Sequence, residues 1–344
     1  MATSTPPARA PPARPAWFKE TAVYQQPDVR RAAWQLANTF LPYLAIWTLA
    51  IYALRHGYPY WATLPLLVVG AGLQIRIFIV FHDCTHGSFL PSQKLNKVVG
   101  YSCGILTLTP YEDWRHAHAI HHATVSDLDR RGTGDVWTMT VREYLASPWW
   151  VRLAYRVFRH PLVTFGIGPF LVFVFLARTP RAGSRPRDRL SVYITDLAIL
   201  ALLALAHVTI GLRTFVMIYL PMVVISGSAG VWLFYMQHQF EATYWARHER
   251  WDPVRASLEG SSYYRLPKVL QWFTGNIGFH HVHHVRARIP NYRLQECHEA
   301  FPELRACRAL TLIDSLRSMW LDLWDEAQGK LVSFRSLKTR PTPA

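Results

Sequence analysis

Eleven of the 16 histidines in this 344-residue chain lie in four short clusters. The clusters contain one HxxxH pair, two HxxHH triplets and one histidine that follows a long apolar run. Because positions i, i+3 and i+4 share one face of a helix, each box presents its imidazoles together. The histidines that obey this spacing are His82, His86, His118, His121, His122, His280, His283 and His284. The single histidine after the apolar run is His238.

A metal site explains these clusters better than packing or surface charge does. A core histidine would be solitary among leucines and valines, and a basic patch would use lysine and arginine. Imidazole suits Zn, Cu, Fe and Ni, but a zinc site takes only three or four ligands, so eight or nine histidines favour two metals. Carboxylate di-iron bundles use a Glu-x-x-His pattern that is missing here, and haem needs one or two axial ligands. We therefore favour an all-histidine di-iron centre that activates oxygen.

The composition favours a membrane protein with a sizeable polar part. Hydrophobic residues make up 51% of the chain, yet the mean hydropathy is only +0.05. The net charge of +15 would suit nucleic-acid binding in a soluble protein. Here the basic residues flank apolar runs, so we expect a positive cytoplasmic face against anionic lipid and no nucleic-acid partner. The four cysteines lack metal-site spacing and are expected to be reduced thiols.

Four apolar segments are long enough to cross a bilayer, which takes about 20 residues. Short links join the first to the second and the third to the fourth, so the sequence predicts two transmembrane helical hairpins. The predicted spans are residues 36–54, 60–81, 192–212 and 214–235.

The distribution of charge predicts the orientation of these spans. Arg30 and Arg31 precede the first span, and five arginines between residues 178 and 189 precede the third. Both places should be cytoplasmic by the positive-inside rule. The second and fourth spans then end on the same side, so all four histidine clusters are expected to meet at the cytoplasmic face.

The remaining segments give the predicted domain boundaries. Residues 1–29 are rich in Pro and Ala without an apolar core, which predicts a disordered tail and not a signal peptide. Residues 161–177 are apolar, but a single crossing there would move the last histidine box outside, so we expect an interfacial or re-entrant segment. Residues 30–310 form the predicted main domain, and residues 311–344 an amphipathic helix and a tail.

Beyond the boxes alone, five stretches resemble the membrane fatty acid desaturases, in particular the bacterial acyl-lipid branch with its delta-12 and omega-6-like enzymes. The resemblance covers about residues 30 to 310, in order. The stretches are HDCTHGSF from His82, WRHAHAIHHAT from Trp114, DLDRRGTGDVW from Asp127, FYMQHQFE from Phe234 and NIGFHHVHH from Asn276.

The resemblance implies an all-α integral membrane protein with two transmembrane hairpins and a cytoplasmic helical cap. Carried over position by position, the nine histidines named above are the catalytic and metal residues, and His238 is the family's additional ligand. They would hold two Fe ions, use O2 as co-substrate and place a cis double bond in the acyl chain of a membrane lipid. No fused carrier domain is recognisable, so electrons are expected from a ferredoxin or flavodoxin. The bacterial inner membrane is the expected location.

Several residues near the boxes have supporting roles or remain open. His116 and His281 lie outside the i, i+3, i+4 frame and are expected not to be ligands. Arg76, inside the second span, either snorkels to the interface or contacts a lipid headgroup. Ligand histidines usually hydrogen-bond through the distal nitrogen. The candidate carboxylates are Asp83, Asp127, Asp129, Asp135 and Glu241.

Two other functions remain open at this point. A lipid or alkane hydroxylase, or a carotenoid ketolase, could use the same histidines, because the chemistry diverges only after the first hydrogen is removed. Analysis of the product separates these enzymes. A non-enzymatic protein that stores, carries or senses a metal is the third hypothesis. It would favour polar residues at mid-depth along its spans, and these spans contain few.

Overall fold

The computed structural model describes residues 15–339, which are mostly helical. The helices are α1 (Ala16–Glu20), α2 (Val29–Arg55), α3 (Tyr60–His86), α4 (Gln93–Leu106), α5 (Tyr111–Thr124), α6 (Val141–Ala146), α7 (Trp149–Arg159), α8 (Gly168–Val174), α9 (Pro186–Thr209), α10 (Leu212–His238), α11 (Pro253–Leu258), α12 (Lys268–Phe273), α13 (His280–Val285), α14 (Asn291–Ala300), α15 (Pro302–Arg305) and α16 (Leu312–Ser318). The strands are β1 (Met139–Thr140), β2 (Tyr263–Tyr264), β3 (Ala309–Leu310), β4 (Leu323–Asp325) and β5 (Lys330–Val332).

Four of these helices, α2, α3, α9 and α10, are long and apolar enough to cross a membrane. Each corresponds to one predicted span. The ends of α3 and α10 differ from the prediction, because both helices continue into the polar residues that follow. As a result His82 and His86 lie on the last turns of α3, and His238 is the last residue of α10.

Helix α3 lies at the centre of the bundle and packs against α2, α4 and α10. Two glycines allow the neighbouring chains to approach it closely. A Cβ at Gly70 would stand 2.4 Å from the sulfur of Met222 on α10, and one at Gly72 would stand 2.8 Å from the ring of Phe273 on α12. The middle of α3 is therefore packed closely against both α10 and α12.

Part of the predicted N-terminal tail is folded. Residues 1–14 lie outside the described part of the chain, but α1 and a 3-10 helix (Thr21–Gln25) follow. Phe18 is buried in a cluster with Ile289 and Leu294, and the hydroxyl of Thr21 donates to the Phe18 carbonyl at 2.7 Å. Arg286 also donates to the Thr21 hydroxyl at 2.8 Å, so contacts with distant residues hold this segment, and its Pro and Ala content does not reveal them.

The predicted amphipathic C-terminal helix is shorter than expected and leads into a hairpin. Helix α16 ends at Ser318, after which β4 pairs antiparallel with β5 and parallel with β1. The Asp325 carboxylate accepts the backbone N–H of Ala327 at 3.1 Å, and Gly329 takes a φ of +62°. This turn chemistry favours a hairpin over continued helix. The described residues are thus mostly helical, as predicted, with short strands in addition.

The apolar segment at residues 161–177 is bent. Helix α7 and the run Val163–Arg178 meet at 62°, which is the geometry of a broken span or a re-entrant loop. His160 at the bend has a ψ of 129°, as expected for a residue before proline. Pro161 therefore ends α7. An interfacial location for this segment stays a prediction.

Arg76 neither snorkels nor faces lipid, although these were the two alternatives. It is only 7% exposed, and its Nε donates to the hydroxyl of Thr39 on α2 at 3.0 Å. The guanidinium also donates to the Trp272 carbonyl and lies 4.3 Å from the centre of the Trp272 ring. Arg76 therefore joins α2, α3 and α12 inside the protein.

Replacing Arg76 with alanine is expected to lower the thermal unfolding temperature of the detergent-solubilised protein. The change leaves the Thr39 hydroxyl and the Trp272 carbonyl without their buried donor, which costs about 1–3 kcal/mol. The exposed Arg30 at the start of α2 is the control, and Arg30→Ala should leave the unfolding temperature near that of wild type. Equal unfolding temperatures for both variants would contradict this role.

Candidate metal centre

Four helix segments bring the clustered histidines together. The last turns of α3 and α10 supply three of them, and α5 and α13 supply three each. Helix α5 begins after Pro110 with Glu112 and Asp113 in its first turn, where acidic side chains stabilise a helix N-terminus. Helix α13 has only six residues, and all of them are buried. The fold around it, more than its own length, must hold it in place.

The nine histidines form two adjacent groups, each with its ligand nitrogens within 4.8 Å of one another. The first group is His82, His86, His118, His122 and His283, and the second is His121, His238, His280 and His284. Each HxxHH box contributes to both groups, so α5 and α13 tie the two together. The rings of His122 and His284, one from each group, stack with centroids 4.3 Å apart.

The donor atoms fit metal ions. Neighbouring Nε2 atoms lie 2.9–3.2 Å apart in the pairs His82–His118, His118–His122, His122–His283, His121–His238, His238–His280 and His280–His284. Facing lone pairs repel unless a proton or a cation lies between them. Metal–imidazole bonds of about 2.1 Å at right angles separate two nitrogens by roughly 3.0 Å, whereas a tetrahedral arrangement separates them by roughly 3.4 Å. The spacing therefore suits a metal with more than four ligand positions.

Burial keeps five of these imidazoles in the form that binds metal. Desolvation lowers the pKa of five ring systems outside the long helices well below the ordinary histidine value, and neighbouring histidines lower it further. These are His118, His122, His280, His283 and His284. A neutral ring offers a lone pair, so these residues need not lose a proton at neutral pH before they bind a cation.

Three ligand candidates have a hydrogen-bond partner on the distal nitrogen. His82 Nδ1 lies 3.1 Å from Asp83 and His121 Nδ1 lies 2.6 Å from Asp135. His238 Nδ1 donates to the Gly260 carbonyl at 3.1 Å. Each of these acceptors fixes the ring orientation and leaves Nε2 free to face the centre of its group.

The other three candidate carboxylates bind elsewhere in the structure. Asp127 binds the ring of His248 at 2.7 Å, Asp129 binds Arg247 at 2.7 Å, and Glu241 lies 3.8 Å from Lys330. The loop that follows α5 turns Asp127 and Asp129 toward residues 247 and 248 and away from the histidine groups. Sequence proximity alone did not distinguish them from Asp135.

The two histidines outside the spacing frame also lie outside both groups, as expected. His116 Nδ1 lies 3.0 Å from Asp188 at the start of α9. His281 is fully buried and points the other way, with Nε2 within 3.1 Å of His298 and of the Leu304 carbonyl. Both rings therefore pack the helices that carry the ligand candidates against their neighbours.

Two supporting residues escaped the sequence reasoning. Asn291 donates its backbone N–H at 2.6 Å and its side-chain N–H at 2.8 Å to the Asp83 carboxylate. No local signal reveals this contact, because the residues are 208 positions apart. Trp114 stacks on His118 with centroids 4.2 Å apart. Their i, i+4 spacing on α5 was a usable signal for that contact.

A mainly apolar cavity of about 290 Å³ lies beside both groups. It runs between α3 and α10 and touches His82 and His118 of the first group and His280 of the second. The lining residues include Gly134 and Arg181, which are exposed, so the cavity opens beside them. Trp114 also lines it. The arrangement can hold a narrow apolar substrate against bound metal.

Comparison with known proteins gives a consistent result. Residues 58–312 match the family described as fatty acid desaturase. A fatty acid desaturase of Bacillus subtilis (strain 168) is 46% identical over 323 residues, which cover 94% of this chain and 91% of that protein. The sn-1 acyl-lipid omega-3 desaturase (ferredoxin) of Synechocystis is 27% identical, covering 72% of this chain and 70% of the relative. The Delta(12)-oleate desaturase of Trichosanthes kirilowii is 26% identical, covering 78% and 76%.

Removing one member of the first group should lower the metal content. We expect two metal ions per chain in the wild-type protein and fewer in His283→Ala, because the first group loses one of its five members while the second group keeps all four. His116→Ala removes a ring outside both groups and should retain two. Elemental analysis of the protein purified from membranes measures the number of metal ions per chain. Two ions per chain in His283→Ala would exclude this residue as a ligand.

The Asp135 carboxylate should strengthen metal binding without being a ligand. Asp135→Asn is expected to weaken the metal in the second group by about 10–100-fold, the usual effect of losing such a partner. Asp129→Asn, six positions earlier and bound to Arg247, is the matched control. Titration with a competing chelator measures the affinity of each protein. Identical affinities in all three would refute the role of Asp135.

Proposed function

Because this chain belongs to the fatty acid desaturase family, we propose that it inserts a cis double bond into an acyl chain with O2 and two iron ions. The observation that carries the proposal is the meeting of two histidine groups with one apolar cavity. Iron would be held by the nine histidines, which are the proposed catalytic residues. When bound, the two irons supply oxygen activation and removal of hydrogen from adjacent methylenes, with water as the second product.

The cavity supports an acyl substrate through its shape and lining. Phe78 and Phe234 supply apolar walls, and the stacked pair of Trp114 and His118 closes one side. An apolar chain loses no hydrogen bonds in such a site and gains from leaving water. A polar head group would lose its hydrogen bonds with water if it entered the cavity, so it must stay at the opening beside Arg181. The residues thus orient the chain and exclude water from the reacting carbons.

Position along the cavity determines which carbons react. His82, His118 and His280 touch the cavity, so only methylenes that lie beside these three residues come close to bound metal. Small displacements of a reacting group cost a large part of the rate. The hydrogen bonds of Asp83 and Asp135 keep the rings fixed, and the fixed rings in turn give the site a single reacting position.

A lipid-bound acyl chain is the substrate that we favour. The relatives from Synechocystis and Arabidopsis are named acyl-lipid desaturases (ferredoxin). Four helices of this chain are long and apolar enough to cross a membrane, so its cavity can receive chains from the bilayer. We place the protein in the bacterial inner membrane. The histidines then lie on the cytoplasmic side, because Arg30, Arg31 and Arg185 stand where α2 and α9 begin.

Electrons are proposed to come from a separate ferredoxin or flavodoxin. A second cavity of about 270 Å³ reaches His122 and His284, one from each group. Its rim contains Trp251, Arg286 and Arg288, and Arg288 is exposed. A basic rim attracts acidic proteins and speeds their association. The two cavities share no lining residue, so an electron carrier and a lipid would not compete for the same contacts.

Expression in a bacterium with a ferredoxin system should yield a new unsaturated fatty acid. Gas chromatography–mass spectrometry of total fatty acids detects it, and derivatisation locates the double bond. His283→Ala should give none of this product while the protein stays in the membrane fraction, because the first group loses a ligand. His116→Ala serves as the control and should retain the product. A hydroxy or keto product from wild type would contradict desaturation and indicate a hydroxylase or ketolase instead.

A further inference from the structure

The inner end of the acyl cavity is closed by a polar bridge between two helices. The hydroxyl of Ser226 on α10 donates to the side-chain carbonyl of Gln74 on α3 at 3.1 Å. The Gln74 amide donates in turn to the Leu106 carbonyl at the end of α4 at 2.9 Å. Gln74 is only 2% exposed. Among the lining residues, Gln74 and Val223 lie farthest from the histidine ends of α3 and α10.

This bridge is a barrier to an apolar chain. The Leu106 carbonyl also accepts the hydroxyl of Tyr219 at 2.9 Å, so the polar groups at this end satisfy one another. A methyl group that advanced past Gln74 would separate these groups without offering replacement hydrogen bonds. Each buried group left unsatisfied costs on the order of 1–3 kcal/mol. The bridge therefore acts as a floor.

Gly230 sets the width of the cavity above that floor. It lines the cavity, and a Cβ built on it meets no atom within 4 Å. Gly227, one turn away, differs because its Cβ would meet the ring of Phe173 at 3.3 Å. Any side chain at position 230 must project into the open cavity, whereas Gly227 serves to pack α8 against α10.

The geometry gives the order of these features along a bound chain. The polar head group stays at the exposed end near Arg181, so the methyl end enters first and points toward the floor. Gln74 precedes His82 by eight residues on α3, which is about 12 Å along the helix. Gly230 follows Ser226 by four residues, about 6 Å nearer the histidine end. Both features thus act on the part of the chain beyond the reacting carbons.

We propose that the Gln74–Ser226 bridge and Gly230 determine the longest acyl chain that this enzyme accepts. The bridge limits how far the methyl end of the chain advances. Because Gly230 has no side chain, the passage is wide enough for the methyl end to reach the bridge. The proposal rests on the desaturase function proposed above, and it assigns chain-length selectivity to three named residues of α3 and α10.

The test supplies saturated acyl chains of graded length to cells that express each variant and measures the unsaturated product of each length. Gly230→Leu fills the passage, so the ratio of long to short product should fall roughly tenfold, the scale of discrimination by one or two methylene groups. Gly230→Ala should give a smaller shift in the same direction. Gln74→Ala removes the floor, so the longest accepted chain should become longer.

The control is Ile225→Phe, which adds volume to an exposed face of α10 that does not line the cavity. Its length profile should match wild type. Unchanged profiles in both Gly230 variants and in Gln74→Ala would overturn the proposal, as would equal loss of product at every length in all three. No unsaturated product from wild type at any length would instead refute the proposed function, and the length assignment with it.

Discussion

Nine clustered imidazoles, seven of them buried, are the constraint on which this structure depends, because their ring nitrogens face one another. Neutral rings repel at 3 Å when lone pair meets lone pair, and charged rings at that distance repel more strongly still. Burial lowers the pKa values of His118 and His283 well below the ordinary histidine value and so disfavours their charged form. A bound cation between the nitrogens resolves the conflict. The surrounding contacts, such as Asp83 with Asn291 and Asp135 with His121, hold the rings in place for it.

The centre lies where apolar and polar parts of the molecule meet, and this location serves the chemistry. On one side the long helices enclose a cavity that suits an acyl chain. The short helices α11 and α13 line a second, more polar cavity beside His122 and His284. Under the proposed function, the metal centre would receive an acyl chain through the first cavity and electrons through the second. The division of each HxxHH box between both groups couples the two metal positions mechanically.

Spacing and hydropathy predicted the parts of the fold that follow local rules. The i, i+3, i+4 frame separated eight of the nine grouped histidines from His116 and His281, and apolar runs predicted the four long helices. Contacts between distant residues were not predictable in this way. The link from Asp83 to Asn291, the burial of Arg76 and the packing of Phe18 depend on how elements meet, and no local pattern encodes them. The hairpin after Ser318 was missed because an amphipathic pattern outweighed a short turn signal.

The central claim is that the two histidine groups hold two iron ions. Anomalous diffraction from crystals of the purified protein, measured on both sides of the iron absorption edge, tests it most directly. The account predicts two peaks that disappear below the edge, one among the nitrogens of the first group and one among those of the second. A single peak, a peak outside both groups, or peaks that follow the zinc edge instead would contradict it.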